Sequence, residues 1–338
     1  MSKANPQAGS TDSMTFSNDW SRYWKHGSLT TFIGGEYHTG YSGETADFWQ
    51  ACFERQPERA TLVDLATGNG AVPLIAARIS QREDKRFRII GIDYADIRLP
   101  TDASIRKQMD AVELIANTPM ENTGLEPASV DFISSQFGFE YGNQQQVLDE
   151  IDRVLGPSGQ LALVLHHPDS AVVAQARREY QQTQLCINEE RLDRKVRDLV
   201  RVIGDARTPE QRSQLKFNRE AEKYREQINR TMARILQRVK GENDTQVHQV
   251  AQSFLRVFAD LSGQSKQQKL DFIENASSEF LAYAGRMQAM SAATLDQAQV
   301  DKLIQKLEQR AFRLEQDQEL HSASGELVAR AIKAKRAE

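Results

Sequence analysis

Ala60-Thr-Leu-Val-Asp64-Leu-Ala-Thr-Gly68-Asn-Gly70 is an apolar strand that runs into an acid and two glycines. Glycine at 68 and 70 removes the Cβ that would block close approach of a ligand and permits positive φ. Asp64, at the strand end, is placed to accept from a cationic amine. The run Ala71 to Ile79 then starts a helix whose free N–H groups face the same crevice. A second apolar strand, Phe87 to Ile92, begins 23 residues after Asp64 and ends in Gly91-Ile92-Asp93-Tyr94. A carboxylate at that tip can hold both hydroxyls of a ribose, so the two tips together suit an adenosine-containing ligand.

Asp64-Leu65-Ala66-Thr67-Gly68-Asn69-Gly70 matches, without a gap, the first motif of the class I S-adenosylmethionine-dependent methyltransferases, a hydrophobic strand followed by Asp-x-x-x-Gly-x-Gly. The chain resembles that superfamily from Thr61 to Pro168. A dinucleotide site would want a third glycine where Pro73 stands, and Pro73 also lacks an N–H. The resemblance implies an α/β, Rossmann-like sheet with helices on both faces and S-adenosyl-L-methionine as cofactor. It places Asp64, Ala66, Thr67, Gly68, Asn69, Gly70, Asp93 and Tyr94 against the cofactor, with Asp64 and the glycine turn at its amino-acid tail and Asp93 at its ribose. Members of the superfamily often read adenine with an Asp-Ala pair before the fourth strand. Here that stretch is Asn117-Thr118-Pro119-Met120-Glu121, in which Asn117 or Glu121 is placed to accept from the exocyclic amine and Met120 to pack on the ring.

Two further strands are legible, Ser129 to Phe137 and Gly159 to His166, the second introduced by the turn Gly156 to Gly159. Between them, Val147, Leu148, Ile151, Val154 and Leu155 make a helical stripe. Alternating strands and helices specify a parallel sheet covered on both sides. After Pro168 the pattern becomes helical and charged as far as about Met290. The tail then carries a helix over Leu295 to Ala311 and two strands, Phe312 to Leu320 and Glu326 to Ala334, around a turn at Ser322 to Gly325. The expected organisation is a disordered tail over 1–18, an N-terminal helical lid segment over 19–58, and a methyltransferase core over 59–169 and 294–338. An all-helical insertion, cap or dimerisation element, fills 170–293. A sheet truncated after His166 and followed by a wholly helical C-terminal domain is the competing architecture.

Methyl transfer from a sulfonium needs the nucleophile held in line with the methyl, and a base only if the nucleophile is protonated. Candidates therefore come from the strand tips and what covers them. Gln136 and Phe137 are expected to line the donor, and Phe139, Glu140 and Tyr141 to face the substrate. His166 or His167 offers an imidazole that can act as general base near neutral pH, and adjacent strand residues point to opposite faces. The segment Asp19 to Tyr41 is rich in aromatics and glycines and reads as a lid, with Tyr23, Lys25, His26, Phe32 and Tyr37 as substrate contacts. Trp20 and Trp24, at i and i+4, suit helix packing equally well.

Composition sets outer bounds. The 338 residues carry a formal charge of −4 and are 39% hydrophobic. These values suit a folded enzyme and argue against a dedicated nucleic-acid binder. No run of residues is apolar enough for a membrane span. Cys52 and Cys186 lie far apart, so neither a disulfide framework nor a metal site is expected, and the cytoplasm is the default compartment. Arg177 to Lys240 holds 17 Lys plus Arg against 10 Asp plus Glu, most of which reads as solvated helix surface. The leading functional expectation is methyl transfer to an oxygen or nitrogen of a small or medium-sized molecule, an anionic one being compatible with the basic helices. Homodimerisation through the insertion stays open. So do a methyltransferase of RNA or protein docked on those helices and a non-catalytic cofactor-binding scaffold.

Overall fold

The computed structural model describes residues 19–30 and 40–337. The expected disordered tail, Phe32 and Tyr37 lie outside the described residues. Thr61–Leu65 forms β1, and the glycine turn after it leads into the helix α2, Ala71–Arg82. A preceding helix, α1, spans Gly43–Glu54. The alternation continues with β2 (Arg88–Ile92), α3 (Ala103–Gln108), β3 (Val112–Ile115), β4 (Val130–Gln136), α4 (Gln144–Val154) and β5 (Leu155–His166). After the helical region come α11 (Gln297–Gln309), β6 (Phe312–His321) and β7 (Leu327–Arg336).

These strands make one seven-stranded sheet in the order β3-β2-β1-β4-β5-β7-β6. The first five are mutually parallel, and β7 pairs antiparallel with both β5 and β6. The tail therefore closes the sheet beside β5, as expected, and the truncated-sheet architecture is excluded. β5 shows how the two faces are set. Leu161, Leu163 and Leu165 join the core under α4 and α11, while Ala162 and Val164 join the core under α1 and α2. β7 repeats the alternation with Ile332 and Ala334 on the first side and Ala329 and Ala331 on the second. A strand buried on both faces loses its polar positions, which is why Leu161 to Leu165 reads as a continuous apolar run. Each such leucine contributes roughly 1.5–3 kcal/mol through burial.

Two details differ from the sequence reading. β5 begins at Leu155 and not Gly159, because Val130 pairs with Leu155 and a register shift before Phe132 absorbs the Gly156-Pro157-Ser158-Gly159 stretch as an irregularity in the ladder. β3 has four residues, none fully buried, and its Val-Glu-Leu-Ile carries too little pattern to be read in advance.

Residues 175–289 form a second compact unit, distinct from that made by residues up to Ala174 and from Met290 onward. Its described residues contain no strand. The helices of this region are α5 (Ala171–Gln184), α6 (Leu192–Ile203), α7 (Pro209–Gln214), α8 (Arg219–Arg238), α9 (Thr245–Leu255) and α10 (Lys266–Ala293). Val196, Val200, Ile228, Ile235, Val250 and Phe254 lie in its own apolar core. Pro209 opens α7 at its first position. Thr208 and Gln211 form the capping box that satisfies the orphan N–H groups there.

Candidate active site

The glycine turn is built around Asp93. Its Oδ2 accepts from the Gly68 N–H at 2.7 Å and its Oδ1 from the Ala95 N–H at 2.8 Å, tying the tip of β1 to the tip of β2. Gly68 has φ +54°, and a Cβ there would lie 2.5 Å from the Trp24 ring. Gly70 has φ +89°, and its Cβ would meet Met109 Cε at 2.3 Å. Both positions thus need glycine for conformation, and Gly68 also for space against the Trp24 ring. Asp64 is buried and accepts from Ser134 Oγ at 2.6 Å. Burial pushes its carboxyl up to about 7, against the hydrogen bond from Ser134 and with the help of the Asp93 charge. Burial likewise pushes Asp93 up to about 6, against its two backbone donors. Two carboxyl groups whose ionisation is opposed by their surroundings line one cavity, an arrangement that favours a cationic ligand.

The opposite wall comes from β4 and β5. Gln136 is buried, its Oε1 accepts from Trp49 Nε1, and its Nε2 has no partner among the described residues. Phe137 sits at φ +54°, a conformation that turns its ring onto the His166 imidazole, stacked at 4.2 Å and 10°. His166 is 2% exposed and its Nε2 lies 3.5 Å from Tyr141 Oη. Burial pulls the imidazole down to about 3, so it is uncharged at neutral pH. The expectation of a histidine base near neutral pH is therefore corrected: removal from water disfavours the imidazolium. Glu140 accepts from the His166 N–H at 2.8 Å, and burial raises its carboxyl to about 7. It braces the strand end and does not line the cavity. The Tyr141 phenol is held well above its usual value by burial and by Glu140. His167 is half-buried, accepts from the Asp169 N–H at 3.1 Å and lies outside the cavity, as alternation along a strand requires.

The third wall is N-terminal. Trp20 and Trp24 stack at 6.1 Å, and Trp20 meets Tyr141 edge-on at 6.2 Å. Both tryptophans line the cavity with Leu29 and Tyr41. Asn69 holds this wall in place. Its Nδ2 donates to the Trp24 and Ser28 carbonyls and its Oδ1 accepts from the Arg98 N–H. It is fully buried and its side-chain polar atoms are committed to the protein, so its side chain holds the wall in place.

The cavity among these walls encloses about 920 Å³, counting the solvent at its mouth. Of the residues singled out in the sequence, it brings together Asp64, Ala66, Thr67, Asp93, Tyr94, Met120, Gln136, Phe137, Tyr141 and His166. Others fall elsewhere for identifiable reasons. Phe139 is 1% exposed in the core under α4. Glu121 accepts from the Asn143 N–H at the start of α4, and Asn117 is exposed on the turn after β3. Tyr23 donates to the Thr30 carbonyl, Lys25 lies 3.6 Å from Asp96 in solvent, and His26 is exposed. The lining residues that sequence reasoning did not assign are Trp20, Trp24, Leu29, Tyr41, Ala71, Val72, Ala95, Thr118, Gly138 and Met290. Thr118 had a positional signal: it sits inside the stretch already examined for adenine, and its N–H donates to the Asp93 carbonyl at 2.9 Å. No Lys or Arg lines the cavity among the described residues.

Residues 63–163 match the family described as "Methyltransferase domain". No curated protein sequence matches the chain. Among solved structures, the chain is similar to the Burkholderia thailandensis 1,6-didemethyltoxoflavin-N1-methyltransferase, with 9% identity over 100% of this chain and 94% of that one, at a TM-score of 0.46. Haemonchus contortus phosphoethanolamine N-methyltransferase 2 aligns over 98% of this chain and 59% of its own, with 14% identity and a TM-score of 0.35. A SAM dependent methyltransferase from Aquifex aeolicus aligns over 36% of this chain and 64% of its own, with 19% identity and a TM-score of 0.30. The chain thus spans about three-fifths of the length of the last two. Residues 63–163 thus carry a methyltransferase domain, on a Rossmann-like sheet with the glycine turn at the tip of β1. The residues at the strand tips fit S-adenosylmethionine as cofactor: two carboxyls that a cation would stabilise, an amide donor without a partner, and apolar walls. No described helix is long and apolar enough to cross a membrane.

Proposed function

We propose that the protein transfers the methyl group of S-adenosylmethionine to an oxygen or nitrogen atom of a small or medium-sized molecule that is uncharged or cationic and carries a flat apolar body. The observation that carries this reading is the lining of the cavity. Aromatic faces from Trp20, Tyr41, Phe137 and Tyr141 stand across from Asp64 and Asp93, with no basic side chain among the described lining residues. Asp64 would meet the donor's ammonium, Asp93 its ribose hydroxyls, and Met120 and Tyr94 its adenine. When bound, the cofactor supplies an electrophilic methyl on a sulfonium. The chain's own contribution is position and exclusion of water. His166 stays neutral and orients an acceptor through hydrogen bonding, with Tyr141 beside it and Phe137 fixing the plane of the imidazole. None of these groups is tuned to take a proton near neutral pH, which favours an acceptor whose lone pair is available without prior deprotonation, as in an amine or ring nitrogen.

The test is a screen of uncharged, cationic and anionic aromatic acceptors with radiolabelled S-adenosylmethionine, scored by transfer of label. Turnover confined to anionic acceptors, or to RNA or protein, would overturn the reading. Binding of the cofactor with no transfer to any acceptor in a broad screen would favour the scaffold alternative.

A further inference from the structure

The helical unit holds a cavity of its own, which the methyl-transfer reading does not use. It encloses about 950 Å³, counting solvent at its mouth, between α6, α8, the end of α9 and the start of α10. Its walls are mostly apolar: Leu199, Ile203, Ile228, Leu255, Val257 and Phe258. Set among them are Arg212, Arg225 and Lys269, and no Asp or Glu is among the described residues that line the space.

Lys269 makes this more than a basic helix surface. It is 2% exposed, on a helix where a lysine ordinarily reaches solvent. An ammonium has three donors, and among the described residues Nζ makes one hydrogen bond, to the Ser262 carbonyl at 3.1 Å. The nearby acids are engaged elsewhere. Asp205 accepts from the Lys266 N–H at 2.7 Å and pairs with Arg207 at 3.1 Å, and Glu222 pairs with Arg225 at 3.0 Å. Arg212 donates to the Arg207 carbonyl at 2.7 Å and meets no carboxylate within 4.0 Å among the described residues. Burial pulls the Lys269 ammonium below its usual range, Arg212 and Arg207 add to this, and Asp205 opposes it. A buried cation in an apolar wall, with its own acids committed to other partners, is costly unless an anion meets it. The apolar wall, in turn, suits a hydrocarbon body.

We infer that this cavity is a binding site for a medium-chain aliphatic carboxylate, with the head group against Lys269 and Arg212 and the chain along Ile203, Ile228 and Phe258. The site lies within the helical unit and is independent of the methyl-donor pocket.

Isothermal titration calorimetry of the full chain with sodium decanoate tests it, with decanol supplying the chain without the charge and acetate the charge without the chain. Decanoate is expected to bind at one site, at least tenfold more tightly than either control. Lys269→Met and Arg212→Gln should each weaken it tenfold or more, Ala206→Trp should block it by filling the space, and S-adenosylmethionine affinity should stay within twofold in all three. Arg212 is only partly buried, so Arg212→Gln reports even if Lys269→Met fails to fold. Decanol binding as well as decanoate, no saturable decanoate binding up to its solubility limit, or unchanged affinity in a folded Arg212→Gln variant would each overturn the assignment.

Discussion

Lowering the pH from 8 to 5 should weaken S-adenosylmethionine binding through Asp64. In the ligand-free pocket this carboxyl is held up to about 7, chiefly by burial. A cationic ammonium beside it favours the carboxylate, so binding must remove a proton wherever the free pocket is protonated. Above about pH 8 the group is already ionised and affinity is on its plateau. One unit below the midpoint about nine pockets in ten hold the proton, so affinity falls roughly tenfold near pH 6 and roughly a hundredfold near pH 5, about 1.4 kcal/mol per tenfold step. Asp93, held up to about 6, steepens the slope below that value. Calorimetry in two buffers of different ionisation enthalpy should register uptake of about one proton by buffer per site near pH 6 and none near pH 8.5. Asp64→Asn keeps the acceptor for Ser134 Oγ and removes the titration, so its weaker binding should be nearly flat above the Asp93 step. A wild-type affinity that is constant from pH 6 to 8, with no proton release, would refute the assignment of Asp64 to a cationic group.

Stability should show the opposite face of the same burial. The folded value of Asp64 lies above the unfolded one, so its cost is absent below about pH 3.8 and fully present above about 7; Asp64→Asn should raise Tm at pH 8 and leave it nearly unchanged at pH 4, by thermal scans at both. Gly68→Ala sets a Cβ against Trp24 and strains a left-handed backbone, so it should cost roughly 1–3 kcal/mol of stability and weaken cofactor binding, read by denaturant titration and calorimetry. His166→Asn should lower kcat roughly tenfold or more while leaving cofactor affinity within about threefold, with no loss of a pH step between 6 and 8, because the imidazole it replaces is uncharged there. Trp49→Phe removes the donor to Gln136 Oε1 inside the core and should cost about 1–3 kcal/mol, seen as a lower unfolding midpoint.

Short-range rules were enough for much of this chain. The turn from Asp64 to Gly70 is legible because glycine readily takes the left-handed backbone there, which is a local property. The two tail strands are legible because alternation along Phe312–His321 survives as alternating burial, and the Asp93 position follows from the length of one strand-helix-strand unit. Side-chain direction in irregular backbone is another matter. Phe137 reaches the cavity and Phe139 the core because the chain takes a left-handed step at Phe137, which no periodic rule anticipates. Glu140 and Asn69 are polar residues beside a pocket whose hydrogen bonds go to the protein, and a donor's partner is known only once distant segments meet. Trp20 and Trp24 became cavity wall because Asn69 ties their segment to the glycine turn, 45 residues away from Trp24. Lys269 reads on its helix as one more surface charge; only the packing of its neighbours excludes water from it and leaves an ammonium facing an apolar space. Sequence thus set what depends on backbone conformation and periodic burial, and tertiary packing set what depends on the meeting of groups far apart in the chain, where desolvation and hydrogen-bond partners are decided.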